Sequence, residues 1–286
     1  MSSHYRVYVE LLLIVLLFPL SGCAPTVGEQ TPPPPAAERI LSVRDVGELF
    51  LPAGFPEHPA KPDLLIHFHG HPPVVWRNVR QAHVHAAVLV INYPGLSSSY
   101  RVPFEEAGRF REVLASTLEA LRREGGVSGN AQWGHIYLSS FSAGFGAVRE
   151  ILKHAGYVKR VDGYLALDSI YAGLVEHEPA RMVDPQNMAP FRRFAQLAAQ
   201  GGKRFILTHT QLPTPDYAST VETAADLVDH VDAHEKSCEG EFDGFRVLAC
   251  YGKGRFEVYS CAGDDGQAHM QHLREMWVWL SRLRIP

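Results

Sequence analysis

The chain has 286 residues and a formal net charge of -4, with 46% hydrophobic and 20% charged residues. This length and hydrophobic content suit one large globular domain or two small ones. The slightly acidic balance provides no basic surface for nucleic acid, so no nucleic-acid partner is expected. Beyond the N-terminal region, no stretch is long and apolar enough to span a bilayer.

The first residues differ from the rest of the chain. Arg6 precedes an apolar segment from Leu11 to Phe18, which is too short for a spanning helix and is typical of an export signal. The segment leads into LSGC at positions 20–23, which resembles the lipobox of bacterial lipoproteins. The resemblance implies a signal peptide over residues 1–22, a lipid on Cys23 and attachment of the mature protein to a membrane.

The residue after the lipobox indicates to which membrane such a lipoprotein is sorted. Ala24 stands there, so the aspartate that retains Gram-negative lipoproteins at the inner membrane is missing. The resemblance therefore implies the outer membrane, facing the periplasm or the cell surface. An ordinary signal peptide with a coincidental cysteine is the alternative.

Residues 23–39 contain four consecutive prolines and no apolar periodicity, which favours an extended tether. The folded domain is therefore expected over residues 40–286. Its cysteines allow one disulfide with one thiol left over, and the sequence leaves the pairing open among Cys238, Cys250 and Cys261. Their spacing does not fit a structural zinc site.

From residue 64 onward, short apolar runs alternate with amphipathic segments. Strands are predicted, in chain order, in LLIHFHG, AAVLVINYP, HIYLSSFS, VDGYLALDS and KRFILTHT, with two more in FRVLACYGKGRFEVYSCAG. Helices are predicted from Pro103 to Gly125, from Ala143 to Ala155 and from about His269 to Leu283. One or two short helices are predicted within 171–202, and another follows the capping-box pair Ser219 and Glu222. This alternation predicts an α/β fold, with a mainly parallel sheet, helices on both faces and functional groups at the carboxyl ends of the strands.

Ser142 follows the third of these strands where a helix begins, in the sequence SFSAG at positions 140–144. This arrangement resembles the nucleophile elbow of the α/β-hydrolases, G-x-S-x-G, with Ser140 in place of the first glycine. The resemblance implies an α/β-hydrolase three-layer sandwich with Ser142 as the nucleophile of a serine hydrolase. Taken alone, the motif also fits a tight strand-to-helix turn that only packs closely.

The first clear strand ends in a His-Gly pair, His69 and Gly70, as does the corresponding strand of this family. In the family, a backbone N–H just beyond this pair helps to form the oxyanion hole. The resemblance therefore assigns the two oxyanion-hole N–H groups to His71 and to Ala143, the residue after the nucleophile.

The family places its general base after the final strand, which implies His269 near the start of the last helix. His272, about one turn further on, is interpreted as a structural or surface residue. For the acid, Asp168 at the end of GYLALD is preferred, because some family members carry the acid there. Asp216 and Glu222, which follow the next strand, remain alternatives, and a helix N-cap is the simpler interpretation of Asp168.

Histidines are frequent around the first predicted strand, namely His67, His69, His71, His83 and His85. Strand alternation would place His67 and His69 on one face, and such a pair can bind zinc or copper. No cysteine or acidic partner lies close in sequence, so no metal and no cofactor are expected. His209 ends another strand and is expected either to line the pocket or to be hydrogen-bonded in place.

Together, these residues predict a serine hydrolase that cleaves a carboxylic ester through an acyl-enzyme on Ser142. The insertion between Asp168 and Arg204 is only about thirty residues long, too little for a large lid, and it has few long apolar runs. The expected substrate is therefore a short-acyl or polar ester, either a small molecule or borne on a polymer. The alternatives are a serine peptidase or amidase of the same fold, and a non-catalytic or metal-binding exported protein.

Overall fold

The computed structural model of the protein describes residues 37–175, 181–238 and 241–285. The predicted signal segment, Cys23 and the tether up to residue 36 lie outside these ranges. The first strand begins at Arg39, one residue before the predicted start of the folded domain. Within the described ranges, every helix is too short or too polar to cross a membrane.

A mostly parallel sheet forms the centre of the fold. The strands of the described residues are β1 (Arg39–Val43), β2 (Gly47–Leu51), β3 (Leu64–Phe68), β4 (Ala87–Ile91), β5 (Ile136–Phe141), β6 (Gly163–Leu167), β7 (Leu174–Val175), β8 (Met182–Val183), β9 (Arg204–His209), β10 (His234–Lys236), β11 (Glu241–Phe242), β12 (Phe245–Lys253) and β13 (Phe256–Cys261). The sheet order is β1-β2-β4-β3-β5-β6-β9-β13-β12-β10, with β11 beside β12, and β7 and β8 form a separate hairpin. From β4 to β13 neighbouring strands are parallel, and antiparallel strands flank them at both edges.

Helices cover both faces of this sheet. In chain order they are α1 (Pro72–Gln81), α2 (Ser97–Glu105), α3 (Arg109–Ala120), α4 (Phe145–Lys153), α5 (Ala155–Arg160), α6 (Pro185–Ala199), α7 (Thr220–Val231), α8 (Gly266–Arg274) and α9 (Trp277–Leu283). Helices α1, α8 and α9 share one apolar core, and α2 to α7 share the other. Strand β5 contributes Ile136 and Leu138 to one core and Tyr137 and Phe141 to the other, as strand alternation requires. The predicted three-layer α/β sandwich, with a mainly parallel sheet and helices on both faces, is therefore confirmed.

Several helix boundaries differ from the prediction. Pro103 does not open a helix but lies inside α2, which begins at Ser97. The helix ends before an extended Glu106, and α3 begins at Arg109. Three consecutive serines are poor helix formers, so the sequence did not predict this start. The buried side chains of Tyr100 and Phe104 anchor α2 in the core instead.

Two further predicted helices are divided. Gly156 does not end a helix, since α4 ends at Lys153 and α5 begins after an extended His154 and includes Gly156. The last predicted helix is broken between α8 and α9. Within 171–202, the described residues form the β7–β8 pair and one long helix, α6. The capping box of Ser219 and Glu222 and the pair β12–β13 are confirmed.

One disulfide forms among the cysteines whose pairing the sequence left open. Cys238 is bonded to Cys250, and the described chain keeps Cys261 as a free, buried thiol. Burial raises the pKa of the Cys261 thiol, so this group stays protonated at neutral pH. The bond ties the segment after β10 to β12, the strand that pairs with β10 in the sheet.

The turn between β5 and α4 depends on glycines in close contact with other backbone. A Cβ atom on Gly144 would lie 2.3 Å from the carbonyl oxygen of Phe68, at the end of β3. A Cβ atom on Gly146 would lie 2.3 Å from the carbonyl oxygen of Ser97, at the start of α2. The backbones of β3 and α2 therefore approach the turn more closely than any side chain permits.

We expect Gly144→Ala to lower the free energy of unfolding by about 1–3 kcal/mol, because the new methyl group must displace the backbone of β3. Gly156→Ala is the matched control, since a Cβ atom there meets nothing within 4 Å. It should leave the free energy of unfolding unchanged or raise it by up to about 1 kcal/mol. Urea unfolding measures both, and equal effects of the two substitutions would contradict the packing argument.

Candidate active site

Three neighbouring strands are each followed by a residue with left-handed backbone. His69 follows β3 with a φ of 69°, Ser142 follows β5 with 47°, and Asp168 follows β6 with 40°. Because β3, β5 and β6 are parallel neighbours, these residues lie along one edge of the sheet. A positive φ is unfavourable for residues with a Cβ atom and persists where the surrounding structure enforces it, often at functional sites.

The Asp168 carboxylate is fully buried and hydrogen-bonded through both oxygens. Oδ1 accepts from the backbone N–H of Thr210 at 3.0 Å and from the Thr220 hydroxyl at 2.7 Å. Oδ2 accepts from the Thr210 hydroxyl at 2.8 Å and lies 2.6 Å from Nδ1 of His269. The end of β6, the segment after β9 and the starts of α7 and α8 therefore meet at one carboxylate.

These contacts fix the charge of the carboxylate. Burial by itself raises the pKa of Asp168, but hydrogen bonds from His269, Thr210 and Thr220 outweigh burial and hold the carboxyl pKa well below its usual range. The group is therefore ionised at neutral pH. An ionised partner at Nδ1 favours the tautomer of His269 that carries its proton on Nδ1, which leaves Nε2 free to accept a proton.

Ser142 and His269 line the same cavity, which has a volume of about 470 Å³. Ser142 is half-buried and begins a single 3₁₀ turn between β5 and α4. The His269 ring packs against Phe141, the residue before the serine, with 4.6 Å between the ring centroids. The structure thus brings together the predicted nucleophile, base and preferred acid at one end of the sheet.

A buried series of hydrogen-bonded hydroxyl groups leads to the backbone of Ser142. The Ser140 hydroxyl lies 2.6 Å from the Tyr164 hydroxyl and 2.8 Å from the Ser169 hydroxyl. Ser169 in turn donates to the backbone carbonyl of Ser142 at 2.8 Å. Ser140 therefore has a hydrogen-bonding role that the glycine of the family motif could not fill, and sequence reasoning identified it only as a small residue.

The two predicted oxyanion donors lie in different surroundings. Ala143 is buried and lines the cavity, in the first turn after the strand, where backbone N–H groups lack intrahelical partners. His71 is exposed at the N-cap of α1 and is not among the described residues that line the cavity. The loop before it is fixed by Asn92, whose side chain accepts from the Gly70 N–H at 2.9 Å and donates to the Gly70 carbonyl at 2.6 Å. The His71 donor stays a prediction.

The histidines of the first strand have separate partners. Nδ1 of His67 lies 3.0 Å from the Ser139 hydroxyl, whereas Nδ1 of His69 lies 2.8 Å from the Tyr100 hydroxyl. The strand alternation behind the prediction of one shared face ends at Phe68, because His69 follows β3 with left-handed backbone. Across the described ranges, no three His, Cys, Asp or Glu side chains lie close enough to hold a metal ion.

The remaining histidine candidates, His209 and His272, are buried and have other hydrogen-bond partners. His272 lies 2.7 Å through Nδ1 from the Thr208 hydroxyl, so of its two predicted roles the structural one applies and the surface one is wrong. His209 is buried with its Nδ1 2.8 Å from the carbonyl of Thr210, and it is absent from the described cavity lining. It is therefore hydrogen-bonded in place.

The alternative acids lie elsewhere in the described structure. Asp216 is exposed on the loop after β9. Glu222 caps α7 and binds Arg181, with 2.7 Å between Oε1 and Nε. Neither forms a hydrogen bond with His269, whereas Asp168 does.

No protein-family model and no curated protein matches the chain. Among solved structures, it is similar to TT1662 from Thermus thermophilus, at 18% identity and a TM-score of 0.40, over 85% of this chain and 99% of the other. It is similar to the siderophore hydrolase EstB from Aspergillus nidulans at 13% identity and a TM-score of 0.45, over 90% and 97% of the two chains. A glucuronoyl esterase from Solibacter usitatus has 12% identity and a TM-score of 0.42, over 81% and 76%. At these values the neighbours' activities carry no argument for this chain.

We expect the free energy of unfolding to fall as the pH is lowered below about 6.5, the ordinary histidine pKa. Burial lowers the pKa of His67 to about 3 and that of His272 to about 4, so both rings stay neutral in the folded state while the unfolded chain takes up protons. The stabilisation that each neutral buried ring gives the folded state is complete above the unfolded pKa. As the pH falls from there to the folded pKa, it declines by about 1.4 kcal/mol per pH unit for each ring.

Urea unfolding at several pH values between about 7 and 5 measures this slope. His67→Gln should reduce it, whereas His85→Gln, at an exposed position, should not. Identical slopes in wild type and both variants would contradict the assignment of neutral buried histidines.

Proposed function

We propose that the protein is a serine hydrolase that cleaves a carboxylic ester through an acyl-enzyme on Ser142. The proposal is carried by the 2.6 Å contact between His269 Nδ1 and the buried carboxylate of Asp168, beside the cavity that His269 shares with Ser142. A serine hydroxyl is a weak nucleophile at neutral pH and needs a base that a third group orients. The chain order of serine, aspartate and histidine is that of the α/β-hydrolases.

In the proposed acylation step, the Ser142 Oγ attacks the ester carbonyl carbon and its proton passes to Nε2 of His269. The Asp168 carboxylate stabilises the imidazolium that forms, and the N–H of Ala143, with the predicted N–H of His71, stabilises the oxyanion. The imidazolium then gives its proton to the alcohol oxygen as the carbon–oxygen bond breaks, which leaves the acyl group on Ser142.

Water completes the cycle. It attacks the acyl carbon while His269 accepts its proton, and the same proton returns to the Ser142 oxygen as the carboxylic acid leaves. No cofactor takes part in either step.

The residues around the cavity support a short-acyl or polar ester, either free or borne on a polymer. In the described parts of 171–202, the only elements are the β7–β8 hairpin and α6. The cavity lining combines aliphatic, aromatic and polar side chains, among them Leu96, Phe145, Tyr171 and Thr214, with the cation Arg149. We expect a cap of this size to add little apolar surface for a long acyl chain.

We expect Asp168→Asn to lower kcat by roughly a thousandfold or more, because His269 then loses the charge that orients it. Asp216→Asn is the matched control and should leave kcat unchanged, since Asp216 is exposed and apart from His269. A fluorophosphonate probe should label the wild type and not Ser142→Ala, while Ser281→Ala, at an exposed serine, stays labelled.

The substrate class is tested by measuring initial rates of the wild type on esters of increasing acyl chain length. The rates should fall once the acyl group is longer than a short chain. A large loss of kcat in Asp216→Asn with none in Asp168→Asn would contradict the assignment of the acid. Absence of labelling in folded wild type would contradict the serine mechanism itself, and equal rates on long-chain esters would contradict the substrate class.

We also propose that the mature chain is a lipoprotein anchored through Cys23 to the outer membrane, on the basis of the LSGC sequence at positions 20–23. In cells supplied with labelled palmitate, the full-length chain should incorporate the label and Cys23→Ser should not. Cys261→Ser, at a buried position, is the matched control. Incorporation that survives Cys23→Ser would contradict the anchor.

A further inference from the structure

A guanidinium group lines the cavity that contains Ser142 and His269. Arg149 lies on α4 two helical turns after Ser142, and its side chain is only 14% exposed. Side chains on a helix tilt toward its N-terminus, and the Arg149 Cζ lies 5.5 Å from the ring centroid of Phe145, one turn closer to the serine. The guanidinium therefore lies over the turn of α4 that is nearer to Ser142, in the lining of the same cavity.

Among the described residues, most N–H groups of the Arg149 guanidinium have no hydrogen-bond acceptor. Nη1 of Arg149 donates to Oδ1 of Asn187 at 3.0 Å, and the nearest described carboxylate oxygen, on Glu150, lies 3.6 Å from Nε. Both oxygens of Glu150 instead accept from Lys153, at 2.9 and 2.7 Å. A guanidinium has five N–H donors, so several remain for a bound anion.

The carboxylate nearest to Arg149 is shared with a second cation, because Glu150 also pairs with Lys153. Burial lowers the pKa of Arg149 and the charge of Arg101 adds to this, whereas Glu150 and Asp184 raise it. Among the described residues that line the cavity, no aspartate or glutamate is present, and Arg149 carries the one permanent charge. Asn187 is itself held in place, because its Oδ1 also accepts from the Gly173 N–H at 3.2 Å.

We infer that Arg149 is a specificity-determining residue that binds a carboxylate carried by the ester substrate, an inference that rests on the proposed function. Arginine binds a carboxylate through two parallel hydrogen bonds, which supplies both energy and orientation. Two helical turns rise about 11 Å, and the backward tilt of the Arg149 side chain shortens this span. The carboxylate therefore lies a few methylene lengths from the reacting carbonyl, on either the acyl or the alcohol part.

Two pairs of substrates distinguish these positions. The acyl pair is p-nitrophenyl hydrogen adipate and its neutral methyl ester, and the alcohol pair is m-acetoxybenzoate and its neutral methyl ester. The measured quantity is the ratio of kcat/KM for the anionic ester to that for its neutral partner, in each variant. Wild type should show a ratio above one for the pair whose carboxylate is correctly placed, and added salt should lower it.

Arg149→Met should lower this ratio by about tenfold or more, because it keeps an apolar stem and removes the charged donors. Arg149→Lys should give an intermediate ratio, since it keeps the charge without the planar fork. Arg101→Met is the matched control. It removes a neighbouring cation that pairs with Glu105 and is not among the described lining residues, so the ratio should stay at the wild-type value.

A wild-type ratio of one or less for both pairs would overturn the inference, as would a ratio that Arg149→Met leaves unchanged. In both cases neutral esters are still cleaved, so the proposed function stands. No turnover of any ester together with no fluorophosphonate labelling contradicts the proposed function, and the inference with it. If Arg149→Met fails to fold by circular dichroism, Arg149→Lys decides: a lowered ratio supports the inference and an unchanged ratio overturns it.

Discussion

The site depends on a carboxylate held in its ionised form inside the protein. Removing a carboxylate from water costs several kcal/mol even after the protein relaxes around it, so Asp168 needs partners for both oxygens. Thr210 supplies a backbone and a side-chain donor, and Thr220 and His269 supply one each. Since these residues belong to separate segments, the same interactions that stabilise the charge also bring His269 to the end of β6.

The serine is held by a different constraint, the geometry of the turn after β5. Its left-handed backbone is tolerated because Gly144 lets β3 approach closely and because Ser169 binds the Ser142 carbonyl. The packing of Phe141 against His269 then connects this turn to the carboxylate site. Ser142 and His269 are therefore held by separate elements that line one cavity, an arrangement that the proposed acyl transfer requires.

The fold could be predicted because its strands are short, buried apolar runs and because the order of motifs along the chain is informative. Ser142, the His-Gly pair and His269 could be identified at the ends of predicted elements. The preference for Asp168 over Asp216 could not be tested from sequence, because it depends on which segments the β6–β9 pairing brings beside His269.

Other features of the site and of the fold could not be predicted, because no sequence pattern marks them. Thr210, Thr220, Ser169 and Tyr164 are ordinary residue types at positions without a diagnostic spacing, so their hydrogen bonds emerge only from the tertiary structure. The boundaries of α2 likewise follow from the packing of its aromatic side chains, which overrides the low helix propensity of its serines. Arg149 shows the same limit, since its position in the cavity is a consequence of where α4 lies.

The central claim is that Asp168 acts on the serine through His269, and a double-mutant cycle tests it most directly. The rate of inactivation by a fluorophosphonate would be measured for wild type, Asp168→Asn, His269→Ala and the double variant. Because Asp168 acts only through the imidazole in this account, the double variant should react no more slowly than His269→Ala alone. Multiplied effects of the two substitutions would mean that the residues act independently, which would contradict the account.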